Sequence, residues 1–529
     1  MADYYAIVPG AIMPKGGAAE VGNKAWNLMR LMNANLPVPA AFVLPTTWCR
    51  RSPAESTVQI KQVLTAGIQQ LETATGLQLG SARRPLLVSV RSGAAVSMPG
   101  MMETVLDVGL NDATVGALIR MTGNPRLAWD SYRRLIQGYA EVVANLPAAP
   151  FDRLVEEELK AAGVDSEREL DHRSLRALTL AMLDCYRTMT GGAFPADPYE
   201  QLGAATAAVF RSWDAPKARS YRQLNALSDA AGTAVTIQRM VFGNAGGQSG
   251  AGVGFTRNPA TGSHEFYFDF KFNAQGEDVV GGRQLLSDNE RLPKVLPAVW
   301  SQLNNLCREL ELLFHDVQDF EFTVEGGKLY LLQTRNAKRT DWAAVTVAVD
   351  MVTEGLVEPP DALARLQGIC LDSVVRANLA PPLPPPLAIA QVASLGVASG
   401  AIALDSQAVA RLSAAGAPAI LVRRQTVTSD VAGMALAEGI LTGSGGRTSH
   451  AAVIARQLGK VCLVGCSSLE VDTDSRLCRI GDTQLKEGDF LSLDGNTGAV
   501  YQGRLVPLVE RPVAALATIA GWQPHIENA

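Results

Sequence analysis

Five of the eight residues in Ala380-Pro-Pro-Leu-Pro-Pro-Pro-Leu387 are proline. Such a run can be neither helix nor central strand, because proline fixes φ and has no amide to donate. It favours extended polyproline II and acts as a semi-rigid spacer. The 529-residue chain must therefore fold on either side of it, around separate cores. Length alone suggests three or four domains at about 150 residues each. The organisation expected is a mixed unit over residues 1–345 with a helical insertion at about 112–225. A helical connector and the proline linker then cover 346–387, a compact α/β unit covers 388–505, and 506–529 form a C-terminal tail. The fold class predicted is α/β and multidomain.

Composition narrows the function classes. Hydrophobic residues are 47% and charged residues 19%, enough apolar content to build real cores. Lys plus Arg is 47 against 52 for Asp plus Glu, a net charge of −5. That balance gives no electrostatic reason to expect nucleic acid or an anionic membrane as partner. Aromatic residues, at 6%, are too few for base-stacking surfaces. No apolar run reaches the roughly 18 residues of a membrane span. The start, MADYYAIVPGAIMPKGG, has no basic stretch followed by an apolar one, so no secretory signal is read there. Seven scattered cysteines without a C-x-x-C point to a reduced, cytoplasmic protein without structural zinc. Cys462 and Cys466 sit in an apolar run and read as small core residues.

Four stretches carry chemistry. Gly16 to Leu28 sets a glycine loop before a predicted helix, with Lys24 near its first turn. Amides at a helix start attract anions, and a lysine there adds a point charge for phosphate. A solvated lysine beside an ordinary turn fits the same residues. From Val88 to Thr104 a strand delivers Arg91 to its end, and a loop of small residues including Ser97 and Gly100 follows. Loops of this kind close backbone donors over polyphosphates; a plain salt bridge over a connecting loop is the alternative.

In the third stretch, Gln318 to Arg335, alternation puts Asp319 and Glu321 on one face of a strand and Phe320 and Phe322 on the other. Gly326-Gly327 marks a hairpin turn, with Gln333 and Arg335 alternating on the return strand. Two carboxylates, an amide oxygen and an arginine suit Mg²⁺ bound to nucleotide phosphate, since Mg²⁺ prefers hard oxygen ligands. Cross-strand salt bridges on a wet face also fit. The functional reading requires a three-residue loop, Gly326-Gly-Lys328, which sets Glu321 opposite Gln333 and Asp319 opposite Arg335. In the fourth stretch, Leu441 to Arg456, helical spacing follows His450, and Thr448 or Ser449 suits the N-cap. A helix start disfavours imidazolium and favours an anion attached to the ring. That suits a nucleophilic histidine which becomes phosphorylated; a buried or capping histidine is the alternative.

The segments VSVRSGAAVSMPGMMETVLDVGLND, MVFGN…SGAGVGFTRNPATG, FNAQGEDVVGG, QDFEFTV…LLQTR and TSHAAVIAR, in this order, resemble the pyruvate, phosphate dikinase family over roughly residues 10–505. The resemblance implies an ATP-grasp nucleotide-binding domain joined by the proline linker to a swivelling phosphohistidine domain. It implies ATP as substrate with Mg²⁺ as cofactor. His450 is loaded from ATP, AMP leaves, and inorganic phosphate takes the other phosphoryl as pyrophosphate. The phosphoryl then passes to a small molecule or to a separate acceptor-binding protein. Lys24, Arg91 and Arg335 match phosphate-contacting positions, and Ser97 and Gly100 belong to the loop over them. Glu321 and Gln333 match the metal positions, Asp319 and Glu277 acidic positions of the nucleotide site. Gln238 and Met240 stand at the adenine edge, and Arg134, with Arg133, lies in a matching DSYRR segment. His450, Arg91 and Thr448 are the expected catalytic residues.

Three departures stand out. A family member continues into a barrel of about 250 residues, and only 24 residues follow Leu505. Asn23 replaces a usual glycine before Lys24. In Gly443-Ser-Gly-Gly-Arg447 the family's arginine is lost at Ser444 and another is gained at Arg447. The alternatives are a non-catalytic nucleotide-sensing module that kept the fold, or a piece of a longer dikinase. His450 must both meet ATP and leave it, so the 388–505 domain is expected to swing about hinges near Leu379 and Ala388.

Overall fold

The computed structural model describes residues 3–50, 53–96, 98, 101–164, 166–224, 227–229, 231–276, 288–445 and 449–522. The chain divides into two compact units, Met1–Ala251 with Phe320–Arg335, and Gly252–Asp319 with Asn336–Ala529.

In the first unit, strands Tyr5–Ile7, Ala41–Leu44, Ala234–Arg239, Val88–Gly93 and Thr104–Val108 lie side by side in that order, antiparallel throughout. Alternation sorts the central strands. Val88, Val90, Val235 and Ile237 enter the core with Phe42 and Leu44. Ser89, Arg91, Thr236 and Gln238 take the opposite face, with Arg91 directly across from Thr236. The predicted helical stretch is present as helices between Asp112 and Leu224. Short polar residues start them: Asn111, Asn124, Asp171 and Asp197 each accept an amide of the first turn. Gly123, Gly163 and Gly191 end three of them in the left-handed conformation. Leu127, Leu135, Tyr139 and Leu175 from this bundle complete the same core.

In the second unit, Arg257 is fully buried and bonds both oxygens of buried Glu311, and also Glu354. Deleting Glu311 would take away the buried partner of this cation and leave it only the part-exposed Glu354 in close contact, a destabilising change. Helices Asp341–Thr353, Pro359–Arg365 and Val513–Trp522 share a core through Val345, Ala362 and Ile519. Strand Arg376–Leu379 pairs antiparallel with Pro507–Glu510, Leu379 opposite Pro507. The chain thus enters and leaves the following domain beside itself. The proline run lies between this ribbon and strand Ala388–Ile389, which pairs with Val500 and Ala499.

The domain after the prolines is an eight-stranded sheet. Its order is Ala388–Ile389, Ala499–Gln502, Phe490–Asp494, Val397–Ala403, Ala419–Arg423, Gly439–Thr442, Val461–Val464, Gln391–Ser394. The four strands from Val397–Ala403 to Val461–Val464 run parallel. Both faces are covered, as parallel strands require. Ile420, Val422, Leu441 and Leu463 pack on one side. Leu421, Ile440, Cys462 and Val464 pack on the other, against Ala451, Ala452 and Ala455. Cys462 and Cys466 are buried, as expected of small core residues. Among the described residues no helix is long and apolar enough to cross a membrane.

Candidate functional site

Lys24 is aimed by a break in its own helix. Ala18–Asn33 is helical except at Gly22, which has φ 75° and ψ 154°. A Cβ there would lie 2.0 Å from the Gly93 carbonyl oxygen, and the Asn23 amide donates to Ala94 at 2.9 Å. Glycine is thus required both for the left-handed backbone and for the close approach. The regular helix restarts at Asn23, so Lys24 stands in its first turn, beside the loop that follows Arg91. Asn23, which replaces the family glycine, keeps its own amide in this contact. Downstream, the Asn27 side-chain amide donates to the Thr334 carbonyl and ties the helix to the hairpin.

Arg91 leaves the polar face of strand Val88–Gly93. It pairs with Glu321 at 3.4 Å and donates to the Leu332 carbonyl at 3.5 Å. Lys24 lies within electrostatic reach of Arg91, Glu321 and Arg335. Its ammonium is pulled down to about 7, chiefly by burial and then by the Arg91 guanidinium. Glu321 opposes the shift and Arg335 adds to it. Three cations converge on one carboxylate, a charge set that calls for an anion.

The hairpin corrects one expectation. Strands Gln318–Glu325 and Lys328–Asn336 are joined by two residues, not three. Gly326 and Gly327 both have positive φ, 56° and 77°, and two such residues form the tight turn whose twist matches the strands. Continued unbroken, that register would set Gln333 opposite buried Phe320. The far end runs in another phase, where the Ala337 amide donates to Val317 at 2.8 Å. The two ends of the hairpin therefore differ in register by one residue. Between them the Leu331 amide donates to the Pro37 carbonyl, and the Leu332 carbonyl accepts from Arg91. Glu321 and Gln333 are both half-buried. Asp319 shares the Glu321 side of its strand by alternation and is likewise half-buried.

A cavity of about 230 Å³ lies further along this unit, walled by Leu87, Met121, Arg239, Met240, Phe242 and Glu325, among others. Met240 is therefore placed on a pocket. Gln238 is not among its lining residues: it is buried, and its side chain donates to the Pro39 carbonyl. Arg134 sits on helix Pro125–Val142, paired to Asp130 at 3.2 Å, while Arg133 joins Asp130 and Glu167. Glu325, not singled out by the sequence, lines the cavity and binds Arg239 and the Phe242 amide. Its only signal was position, the last acid before the Gly-Gly turn.

His450 opens helix His450–Leu458. Ser449 is the cap, accepting the Ala452 amide at 3.4 Å, and Gly459 closes the helix at φ 64°. Ala451, Ala452 and Ala455 let the helix sit close on the sheet. The preceding loop is pinned by backbone. The amide and hydroxyl of Ser444 both donate to the Arg424 carbonyl at 2.9 Å, and the Gly443 amide donates to Arg423. The first-turn amides have no intrahelical acceptor; that of Ala452 is taken by Ser449, and a helix start of this kind favours a nearby anion. Ser97, Gly100, Glu277, Arg447, Thr448 and the His450 side chain lie outside the described residues.

Residues 56–296 match the family model described as pyruvate phosphate dikinase, AMP/ATP-binding domain. Residues 416–498 match that of the PEP-utilising enzyme, mobile domain. The chain is 41% identical over 490 residues to pyruvate, phosphate dikinase of Clostridium symbiosum, covering 91% of this chain and 56% of that one. It is 40% identical over 518 residues to the Entamoeba histolytica enzyme, covering 96% and 58%. With the chloroplastic pyruvate, phosphate dikinase 1 of Zea mays it shares 41% over 519 residues, 96% and 54%. The chain thus spans just over half the length of these relatives. Since the likeness runs through both the nucleotide-binding and the mobile domain, the chain belongs to the pyruvate, phosphate dikinase family.

Proposed function

We propose that this chain is an ATP-dependent phosphotransferase that loads His450. The observation that carries the reading is the convergence of Lys24, Arg91 and Arg335 about Glu321. Three like charges held together, one of them drawn toward neutrality chiefly by burial and then by its neighbours, are stabilised by a polyphosphate. Glu321 and Gln333, on the two strands of the hairpin, offer the hard oxygen donors Mg²⁺ prefers. Mg²⁺ held there would neutralise charge on the phosphate oxygens. Met240 and the adjoining cavity supply an apolar seat for the base.

In this reading an imidazole nitrogen of His450 attacks ATP and AMP leaves. Inorganic phosphate takes one phosphoryl as pyrophosphate, and the histidine keeps the other. The first-turn amides after Ser449 stabilise the added charge. The domain bearing His450 swings on the segments between the Arg376–Leu379 ribbon and the eight-stranded sheet. The phosphoryl then goes to a small molecule or to an acceptor held by another protein or domain. His450→Ala tests the assignment: nucleotide binding should stay within about twofold, while acid-labile label from ATP disappears. Label that persists in this variant ends the claim.

A further inference from the structure

The hairpin tip is fastened to the chain segment that follows strand Ala234–Arg239. Glu325 accepts the Phe242 amide through Oε1 at 2.9 Å and the Arg239 guanidinium through Oε2 at 3.1 Å. That guanidinium also lies 5.8 Å from the centre of the Tyr330 ring. The Gly326 amide donates to the Ser249 hydroxyl at 2.9 Å and the Gly327 amide to the Gln248 carbonyl at 2.8 Å. Glu325 is thereby held at one rotamer on the wall of the cavity that Met240 also lines.

An ionised carboxylate has about four acceptor positions and no donor. Two of those of Glu325 are filled, and its remaining capacity can only accept. Adenine carries an exocyclic amine donor where guanine carries a carbonyl. A fixed acceptor aimed at position 6 of the ring therefore gains with the first base and meets a second acceptor with the other. We propose that Glu325 determines base specificity: oriented by Phe242 and Arg239, its carboxylate accepts the exocyclic amine of an adenine base and rejects a 6-oxo purine. The inference rests on the nucleotide-binding reading above and adds to it the residue that selects the base.

The test uses the whole chain with Mg²⁺ and three probes: non-hydrolysable analogues of ATP and of GTP, and inorganic tripolyphosphate. Glu325→Gln replaces one acceptor by a donor. It should shrink the preference for the adenine analogue by about tenfold or more, while tripolyphosphate affinity stays within about twofold. Glu325→Asp, which retracts the carboxylate, should move the ratio the same way and serves if the glutamine variant does not fold. An unchanged ratio in a folded variant overturns the proposal. So does a parallel loss of all three probes, which would make Glu325 a purely structural clamp. Failure of the wild-type chain to bind any of the three is a separate result, and it defeats the nucleotide-binding reading itself.

Discussion

Around Lys24 the charged groups come from three distant stretches: the helix restarting at Asn23, the strand ending at Gly93 and the hairpin 318–336. Around His450 the described groups are local: a helix capped by Ser449, preceded by a loop whose Ser444 is held by the Arg424 carbonyl. The first region concentrates like charge and holds Lys24 near neutrality. The second is pinned by the Arg424 carbonyl and seated on alanines. Both suit phosphate, but one depends on protonation and long-range assembly, the other on local backbone geometry. Their responses to perturbation should therefore differ in kind.

His450→Ala marks the widest separation: labelling lost outright, nucleotide affinity kept, read by filter binding alongside autoradiography. Gly22→Ala comes next. A Cβ 2.0 Å from the Gly93 oxygen, on a backbone with φ 75°, should cost about 2–4 kcal/mol of the first unit's stability. Calorimetry should show that loss with the second unit's transition unchanged. If Gly22→Ala leaves both transitions in place, the close approach is not what aims Lys24.

Proton linkage follows. The folded pKa of Lys24, about 7, lies below the unfolded value near 10.5. Below pH 7 both states are protonated and the burial penalty is present in full. As pH rises toward 10.5 the unfolded state holds the extra proton, so the penalty is relieved and the unliganded protein gains stability. Nucleotide phosphate favours the charged lysine, so binding above pH 7 takes up a proton. Affinity should fall with pH by up to about tenfold per unit, and Lys24→Met should flatten the profile at a weaker value. Titration calorimetry in buffers of different ionisation enthalpy reads this directly. Ser449→Ala is the mildest change: about 1 kcal/mol from the loss of one cap, visible as faster amide exchange in 450–453 and with no pH signature.

The two regions also differed in how far the sequence revealed them. The His450 helix followed from local spacing, and Ser449 is one of the two caps, with Thr448, that the sequence offered. Lys24, Arg91 and Glu321 were each readable as charges beside turns, but only tertiary structure brings them together. The hairpin shows why part was hidden. Two glycines favour a two-residue turn, whereas the far end, where the Ala337 amide donates to Val317, runs one residue out of that phase. The strand also bonds Pro37 and Arg91, and no local pattern encodes those partners. Glu325 was missed for the same reason, since its role comes from Phe242 and Arg239, more than eighty residues away in the chain.

The central claim is that the charged region loads the histidine. The measurement that tests it most directly uses ATP labelled separately at the β and γ phosphates, with inorganic phosphate present, followed by mapping of acid-labile label on the protein. β-Label is expected on the peptide containing His450, γ-label in pyrophosphate and neither on the protein in Lys24→Met at limiting ATP. Label on another residue, or γ-label retained at His450, would contradict it.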